Sequence, residues 1–300
     1  MTTNATAPHI LCIGAVLWDI IGRSASSMRV GSDVPGRITR LPGGVALNIG
    51  MALKGFGLAP ALLSAVGRDE EGDELIRALN AMGLNTEHTY RSADLPTDRY
   101  MAIEGANGLI SAIADAHSLE AAGDKILEPL SNGALGTAET PYPGTVALDG
   151  NLTLALLTQC ATSPLFAAAD LRVAPASPGK AERLLPFLTH GRATLYVNKE
   201  EAALLCKASF EEAEEAATAL VARGAARALV TDGGKSAACA TAEGSFVQSP
   251  PDVLVARVTG AGDTFMAGHI AAEASGASPE DALARAIDAA ATFVAGETPS

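Results

Sequence analysis

Apolar residues along this chain fall into two alternating patterns. The opening run His9-Ile-Leu-Cys-Ile-Gly-Ala-Val-Leu-Trp-Asp-Ile-Ile21 is short, continuous and rich in branched side chains, and predicts one buried strand containing Gly14. Comparable runs at 61–66, 145–148, 171–174, 194–197 and 228–231 predict further strands. Between them apolar residues return at helical spacing over 45–56, 74–81, 152–160, 180–188 and 210–223, and two closing helices are expected at 263–274 and 279–294. Ser209 and Glu212 have the spacing of a capping box for the helix at 210–223. Ser278, Pro279, Glu280 and Asp281 supply an N-cap, a preset first turn and negative charge at the positive end of the last helix. Strand and helix alternating in this way predict an α/β fold with a mostly parallel sheet covered on both faces.

Two stretches depart from that rhythm. Residues 20–42 have branched residues with Gly and Ser punctuation but no helical period. Residues 95–114 read as two strands, 99–104 and 109–114, joined by the hairpin signal Ala106-Asn-Gly108. The expectation is one α/β domain over 1–300 with a small β-sheet lid built from these two excursions. The cleft would lie between the lid and the carboxyl edge of the main sheet.

Composition narrows the function. With 48% hydrophobic and 18% charged residues the chain can bury a sizeable core, and its formal net charge of −13 argues against a nucleic acid polymer or an anionic membrane as partner. Cys12, Cys160, Cys206 and Cys239 are scattered, which predicts neither disulfides nor a zinc site. The first apolar run is too short to span a membrane and lacks a basic flank, so a cytoplasmic protein is expected.

Four segments carry candidate chemistry. In Val258-Thr-Gly-Ala-Gly-Asp-Thr-Phe-Met-Ala-Gly268 a glycine turn opens an apolar helix. The free N–H groups of Gly260, Ala261 and Gly262, beside the positive helix end, suit charge developing on a phosphoryl group. Asp263 is placed either to take a proton from an attacking hydroxyl or simply to cap the helix. Gly43 and Gly44 let a ligand approach the backbone, and Asn48, one turn on, offers a donor and an acceptor to a sugar hydroxyl or sits on a solvated face. Asn198 and Glu201 share a face, suited to Mg²⁺ or to capping a helix. Thr231-Asp-Gly-Gly-Lys-Ser236 is a strand and turn able to cover nucleotide phosphates. Walker A, dinucleotide-binding, zinc-protease and nucleophile-elbow patterns are absent from the sequence.

Taken in this order, with Asp19 ending the first strand and Val66-Gly-Arg-Asp-Glu-Glu-Gly72, the segments resemble the ribokinase-like carbohydrate kinases of the phosphofructokinase-B type. That resemblance covers nearly the whole chain. It implies a three-layer α/β/α fold with a β-sheet lid, and transfer of the ATP γ-phosphate to a sugar hydroxyl. It further implies Asp263 as base, Gly260, Ala261 and Gly262 as anion hole, and Asp19, Gly43, Gly44 and Asn48 around the sugar. Asn198 and Glu201 would organise Mg²⁺, and Thr231 and Gly233 would line the nucleotide site. Within the family, Thr97-Asp-Arg-Tyr-Met-Ala-Ile103, Leu148-Asp-Gly-Asn-Leu152 and Ala174-Pro-Ala-Ser-Pro-Gly-Lys180 are most similar to the pseudouridine kinase branch. On that likeness Tyr100 and Asn151 are candidate nucleoside contacts and Lys180 a phosphate or base contact, against a plain solvated lysine. The 5′-hydroxyl of pseudouridine is then the expected acceptor. The alternatives are a free-sugar kinase acting on ribose, fructose or a keto-deoxy sugar acid, and a non-catalytic sugar or nucleotide sensor. A homodimer through the lid is the expected assembly. Two positions depart from the family. Ser236 stands where the family usually has Gly, so the nucleotide loop is expected to differ locally. Arg257 stands where an Asp commonly helps to build a monovalent-cation site, which leaves the need for K⁺ open, and Arg257 is expected instead to bring fixed positive charge to the phosphates.

Overall fold

A computed structural model describes residues 9–298. Its main sheet has eight strands in the spatial order Gly244–Gln248, Ala237–Thr241, Arg227–Thr231, Ala193–Asn198, Asp170–Ala174, Thr145–Asp149, Ile10–Ile13 and Pro60–Leu63. The six from Arg227–Thr231 to Pro60–Leu63 pair in parallel, and the first two add an antiparallel edge. Successive side chains on a strand point to opposite faces, so each strand feeds two cores. Leu11, Ile13, Val146, Leu148, Leu195 and Val197 enter one core, with the helices Leu154–Thr162, Lys199–Cys206 and Ala213–Ala222. Cys12, Leu62, Ala147, Tyr196 and Leu229 enter the other, with the helices Val45–Gly55, Glu70–Ala81, Ala261–Ala274 and Pro279–Val294. This is a ribokinase-like three-layer α/β/α arrangement.

A second sheet has the order Arg37–Gly43, Leu17–Arg23, Arg99–Gly105 and Gly108–Asp115, with a tight turn between its last two strands. Asp19 lies across from Leu41 on one neighbour and Tyr100 on the other. Asp98 ties this sheet to the body, because its carboxylate accepts from the Ser118 and Leu119 N–H groups, both at 2.9 Å.

Several local expectations are corrected. The apolar opening run is two strands, Ile10–Ile13 in the main sheet and Leu17–Arg23 in the second. It bends where Gly14 N–H donates to Leu63 O (3.1 Å) and Ala15 N–H to Asp149 Oδ2 (2.8 Å). Both halves are apolar, so hydropathy alone shows no break. No capping box forms at Ser209; that helix starts at Ala213 behind Glu212, whose side chain makes no capping bond. The expected helix at 180–188 is a 3₁₀ turn, Pro178–Leu184, running into a short helix, Leu185–His190. The strands Ala237–Thr241 and Gly244–Gln248 were not foreseen, because an alanine-rich segment has weak strand propensity and is recruited by pairing.

One charged cluster fixes the helix that opens at the glycine turn. Near its carboxyl end, Glu273 accepts from Arg172 Nη1 (2.5 Å) and from Arg227 Nη1 and Nη2 (2.5 and 3.0 Å), both arginines reaching up from the sheet. Arg172 also donates to Tyr196, whose hydroxyl meets His269 Nδ1 at 2.8 Å. Burial pushes the Glu273 carboxyl up, but the Arg227 hydrogen bonds and the Arg172 charge outweigh this and hold it at about 2. Its stabilising contribution is therefore present above the ordinary value of 4.5 and lost as pH falls towards 2. Glu273→Ala leaves Arg227 without its carboxylate and Arg172 with Asp170 alone. We expect it to cost about 3 kcal/mol at neutral pH, the low end for breaking a buried pair, read as a lower urea midpoint. An unchanged midpoint would show that the cluster does not hold the helix.

Candidate active site

The carboxyl ends of parallel strands gather functional groups in open α/β sheets. Here Asp149, Asn198 and Thr231 end three of four successive strands, with Asp170–Ala174 between the first two, and the helices Val45–Gly55 and Ala261–Ala274 point their amino termini at the same edge.

Asp263 lies in the first turn of the second of these helices. It is not the cap: Gly260 holds that position in the left-handed region, φ 93°, and no side chain caps the helix. The Asp263 carboxylate instead reaches across to the other helix, where Asn48 Nδ2 donates to its Oδ2 at 2.9 Å. Burial is the main reason its pKa is pushed up to about 7; the Asn48 bond opposes this, and the charges of Asp149, Asp19 and Glu201 reinforce it. The group is half-buried, with an edge open to the cleft.

Asp19 faces the same space from the second sheet, and burial pushes its carboxyl up to about 6. Gly43 makes room for it. A Cβ there would sit 2.0 Å from Asp19 Oδ2, so only glycine lets the strand start of the helical segment pass so close. Gly44 follows as the helix cap with φ 103°. Beside Asp19, the Tyr100 hydroxyl is raised by burial first and then by the charges of Asp19 and Glu104.

Asp149, Asn151 and Lys180 form the floor. Buried Asp149 accepts from Ala15 N–H, Asn151 N–H and Asn151 Nδ2 at 2.8, 2.8 and 3.1 Å. Burial raises its pKa against these bonds. Lys180 Nζ donates to Asn151 Oδ1 at 2.5 Å and is lowered, by burial first and then by Arg183. Lys180 is therefore half-buried within this group and is not a solvated lysine. Asp149 is a site residue that the sequence patterns did not single out. The signal was present, an acidic residue closing an apolar strand run just before Gly150.

Asn198 and Glu201 form the capping box that sequence spacing had suggested at Ser209. Glu201 N–H donates to Asn198 Oδ1 at 2.9 Å, and Asn198 N–H to Glu201 Oε2 at 2.8 Å. Burial pushes Glu201 up to about 7 against that bond, with Glu200 adding to the rise. Thr231 is half-buried at its strand end and Gly233 is exposed in the following turn, where Asp232 pairs with Lys199 at 2.7 Å.

Two expectations at the glycine turn need correction. Ala261 N–H donates to Val258 O at 3.0 Å and so serves the turn itself. Thr264 N–H is bonded to Gly260 O, so helix geometry leaves the Gly262 and Asp263 N–H groups without an intrahelical acceptor. Arg257 does not turn towards the cleft. Its Nε donates to Phe293 O (2.9 Å) and Nη2 to Glu297 O (3.2 Å), and the guanidinium stacks on Phe293. The guanidinium is thus committed to backbone carbonyls at the end of the last helix. Among the described residues no cluster of three or more His, Cys, Asp or Glu side chains is arranged to hold a metal ion, and no helix is long and apolar enough to cross a membrane.

Against this geometry, comparison with known proteins is decisive at the level of class. Residues 7–298 match the pfkB family carbohydrate kinases, and the chain belongs to that family. It is accordingly a phosphotransferase with a hydroxyl acceptor. A pseudouridine kinase of Escherichia coli (strain K12) is 27% identical over 265 residues, covering 87% of this chain and 82% of the relative. A carbohydrate kinase from Agrobacterium tumefaciens superposes with a TM-score of 0.78 at 25% identity, over 95% of this chain and 90% of that one. An Arabidopsis thaliana ribokinase complexed with ribose and ATP gives a TM-score of 0.75 at 22% identity, over 96% and 93% of the two chains.

Proposed function

We propose that this chain transfers the γ-phosphate of ATP to the 5′-hydroxyl of pseudouridine, with Asp263 as the base. The observation that carries the reading is the Asp263 carboxylate in a first helical turn, held by Asn48 and opposed by Asp19 across the cleft. The hydroxyl oxygen forms a bond to the γ-phosphorus as the bond to the bridging oxygen of ADP breaks, and the hydroxyl proton passes to Asp263. A carboxylate with a pKa near the working pH is well matched to that transfer. The free Gly262 and Asp263 amides, with the helix dipole, face the charge that builds on the phosphoryl oxygens. Asp19, Gly43, Gly44 and Asn48 hold the ribose, and Tyr100, Asn151 and Lys180 approach the base. Thr231 and Gly233 border the nucleotide.

Magnesium, when bound with ATP, supplies charge neutralisation on the phosphates. The capping box engages Oε2 of Glu201, and its other oxygen would be the one to hold this ion, directly or through water. The second sheet acts as a lid over the cleft, shielding the transfer from water. Pseudouridine is favoured by the Escherichia coli relative and by the polar floor of Asp149, Asn151 and Lys180. A sugar acid is disfavoured, because Arg99, the basic residue of the lid strand Arg99–Gly105, is paired with Glu71 at 2.8 Å. On its outer face the second sheet exposes Ile38 (79%), Ile113 (66%), Met101 (46%) and Ile103 (42%), and we assign this face to a homodimer.

Asp263→Asn should retain ATP binding and lower kcat by about 10² to 10⁴, the usual worth of a positioned base. In the parent enzyme kcat/KM should rise with pH through about 7 as the carboxylate ionises, and that limb should vanish in the variant. Near-parent turnover by Asp263→Asn would remove the base assignment. Measured by coupled ADP release, pseudouridine should exceed uridine, adenosine, ribose and fructose by at least about tenfold in kcat/KM, the scale set by buried polar groups that recognise one ligand. Ribose or fructose in first place would favour the free-sugar reading, and no turnover with any of them a sensor. Sedimentation velocity should give a dimer that Ile113→Glu dissociates; a monomeric parent at micromolar concentration would remove the assembly.

A further inference from the structure

Arg257 lies at a junction between the end of the chain and the start of the catalytic helix. The last helix, Pro279–Val294, ends in carbonyls with no intrahelical donor, at the negative end of its dipole. The chain just before the glycine turn supplies the donors. Ala256 and Arg257 N–H both reach Val294 O, at 2.9 and 3.2 Å, while the guanidinium takes Phe293 O and Glu297 O. The guanidinium also covers the Phe293 ring, 3.6 Å from its centroid. The tip of that ring lies against Gly260, where an added Cβ would come within 2.9 Å of its Cζ. A continuous path of contacts thus runs from the terminal carbonyls through Arg257 and Phe293 to Gly260, three residues from Asp263.

We propose that Arg257 is a positioning residue. Its tethered positive charge draws the end of the last helix onto the glycine turn and fixes the Gly262 and Asp263 amides in their phosphate-facing conformation. Positive charge at this junction is thus supplied by the chain itself, held by the carbonyls of Phe293 and Glu297. The enzyme is therefore indifferent to K⁺. This inference rests on the phosphotransfer reading of Asp263 and the turn. Arg257 is exposed, and exposed contacts of this kind add little to global stability. Its effect on catalysis is for that reason separable from any effect on folding.

The test compares the parent with Arg257→Ala and Arg257→Lys in choline, NaCl, KCl and guanidinium chloride at tens of millimolar. Parent kcat should be the same within about twofold in all four. Arg257→Ala should lose about 10- to 100-fold in kcat, the scale of a small misplacement near the reacting atoms, with KM for ATP changed less than kcat and the melting temperature nearly unchanged. Guanidinium should restore part of that loss in Arg257→Ala and do nothing for the parent. Arg257→Lys should be intermediate, since an ammonium keeps the charge but not the fork or the stacking. Independently of turnover, hydrogen exchange at residues 260–264 should quicken in Arg257→Ala. Activation of the parent by K⁺, full kcat in Arg257→Ala, or unchanged exchange there would each overturn the proposal. Failure of the base assignment is read separately, from Asp263→Asn, and leaves the exchange result standing.

Discussion

The hydrogen bond from Asn48 to Asp263 joins two helix amino termini that the sequence places 215 residues apart. Both helices run against the same face of the main sheet and bring their positive ends to its carboxyl edge. A carboxylate in the first turn would ordinarily fold back to cap its own helix. Here Gly260 takes the cap position, and the carboxylate is free to project between the helices. The rest of the site is arranged around that projection. The second sheet brings Asp19 to it, the bend at Gly14 and Ala15 brings Asp149, and the capped helix at Asn198 brings Glu201.

Four acidic groups within reach of one another set the electrostatic character of the cleft. Asp19, Asp263 and Glu201 are held near neutral pKa values, and Asp149 is raised in the same direction. Burial favours protonation at all four, and at Asp263 the charges of the other three add to it. A chain with a net charge of −13 offers no general attraction to a phosphorylated ligand. Attraction must come from oriented backbone amides and from cations brought with the nucleotide, and both act over a few ångströms only.

Much of this was legible in the sequence because it rested on local rules. Alternating strand and helix patterns revealed the parallel sheet and its two covered faces. The glycine turn before an apolar helix marked Asp263, and the paired glycines marked the approach to Asp19. What escaped depended on partners distant in the chain. Nothing local distinguishes Asn198-Lys-Glu-Glu201, which forms a capping box, from Ser209-Phe-Glu-Glu212, which does not. Arg257 read as a charge for the cleft because the carbonyls that claim it lie 36 and 40 residues downstream. The bend at Gly14 is dictated by Leu63 and Asp149, and the alanine-rich edge strand by its neighbours.

The grip of Arg172 and Arg227 on Glu273 bears on how such a cleft can open. The helix carrying Asp263 is bolted to the sheet at its far end and bonded to Asn48 at its near one, so it behaves as an anvil. Change in the width of the cleft then falls to the opposite jaw. That jaw joins the body through short stretches of chain at residues 14–16, around 44, 93–98 and near 116. The Asp263 carboxylate would stay still while the second sheet moves down towards it.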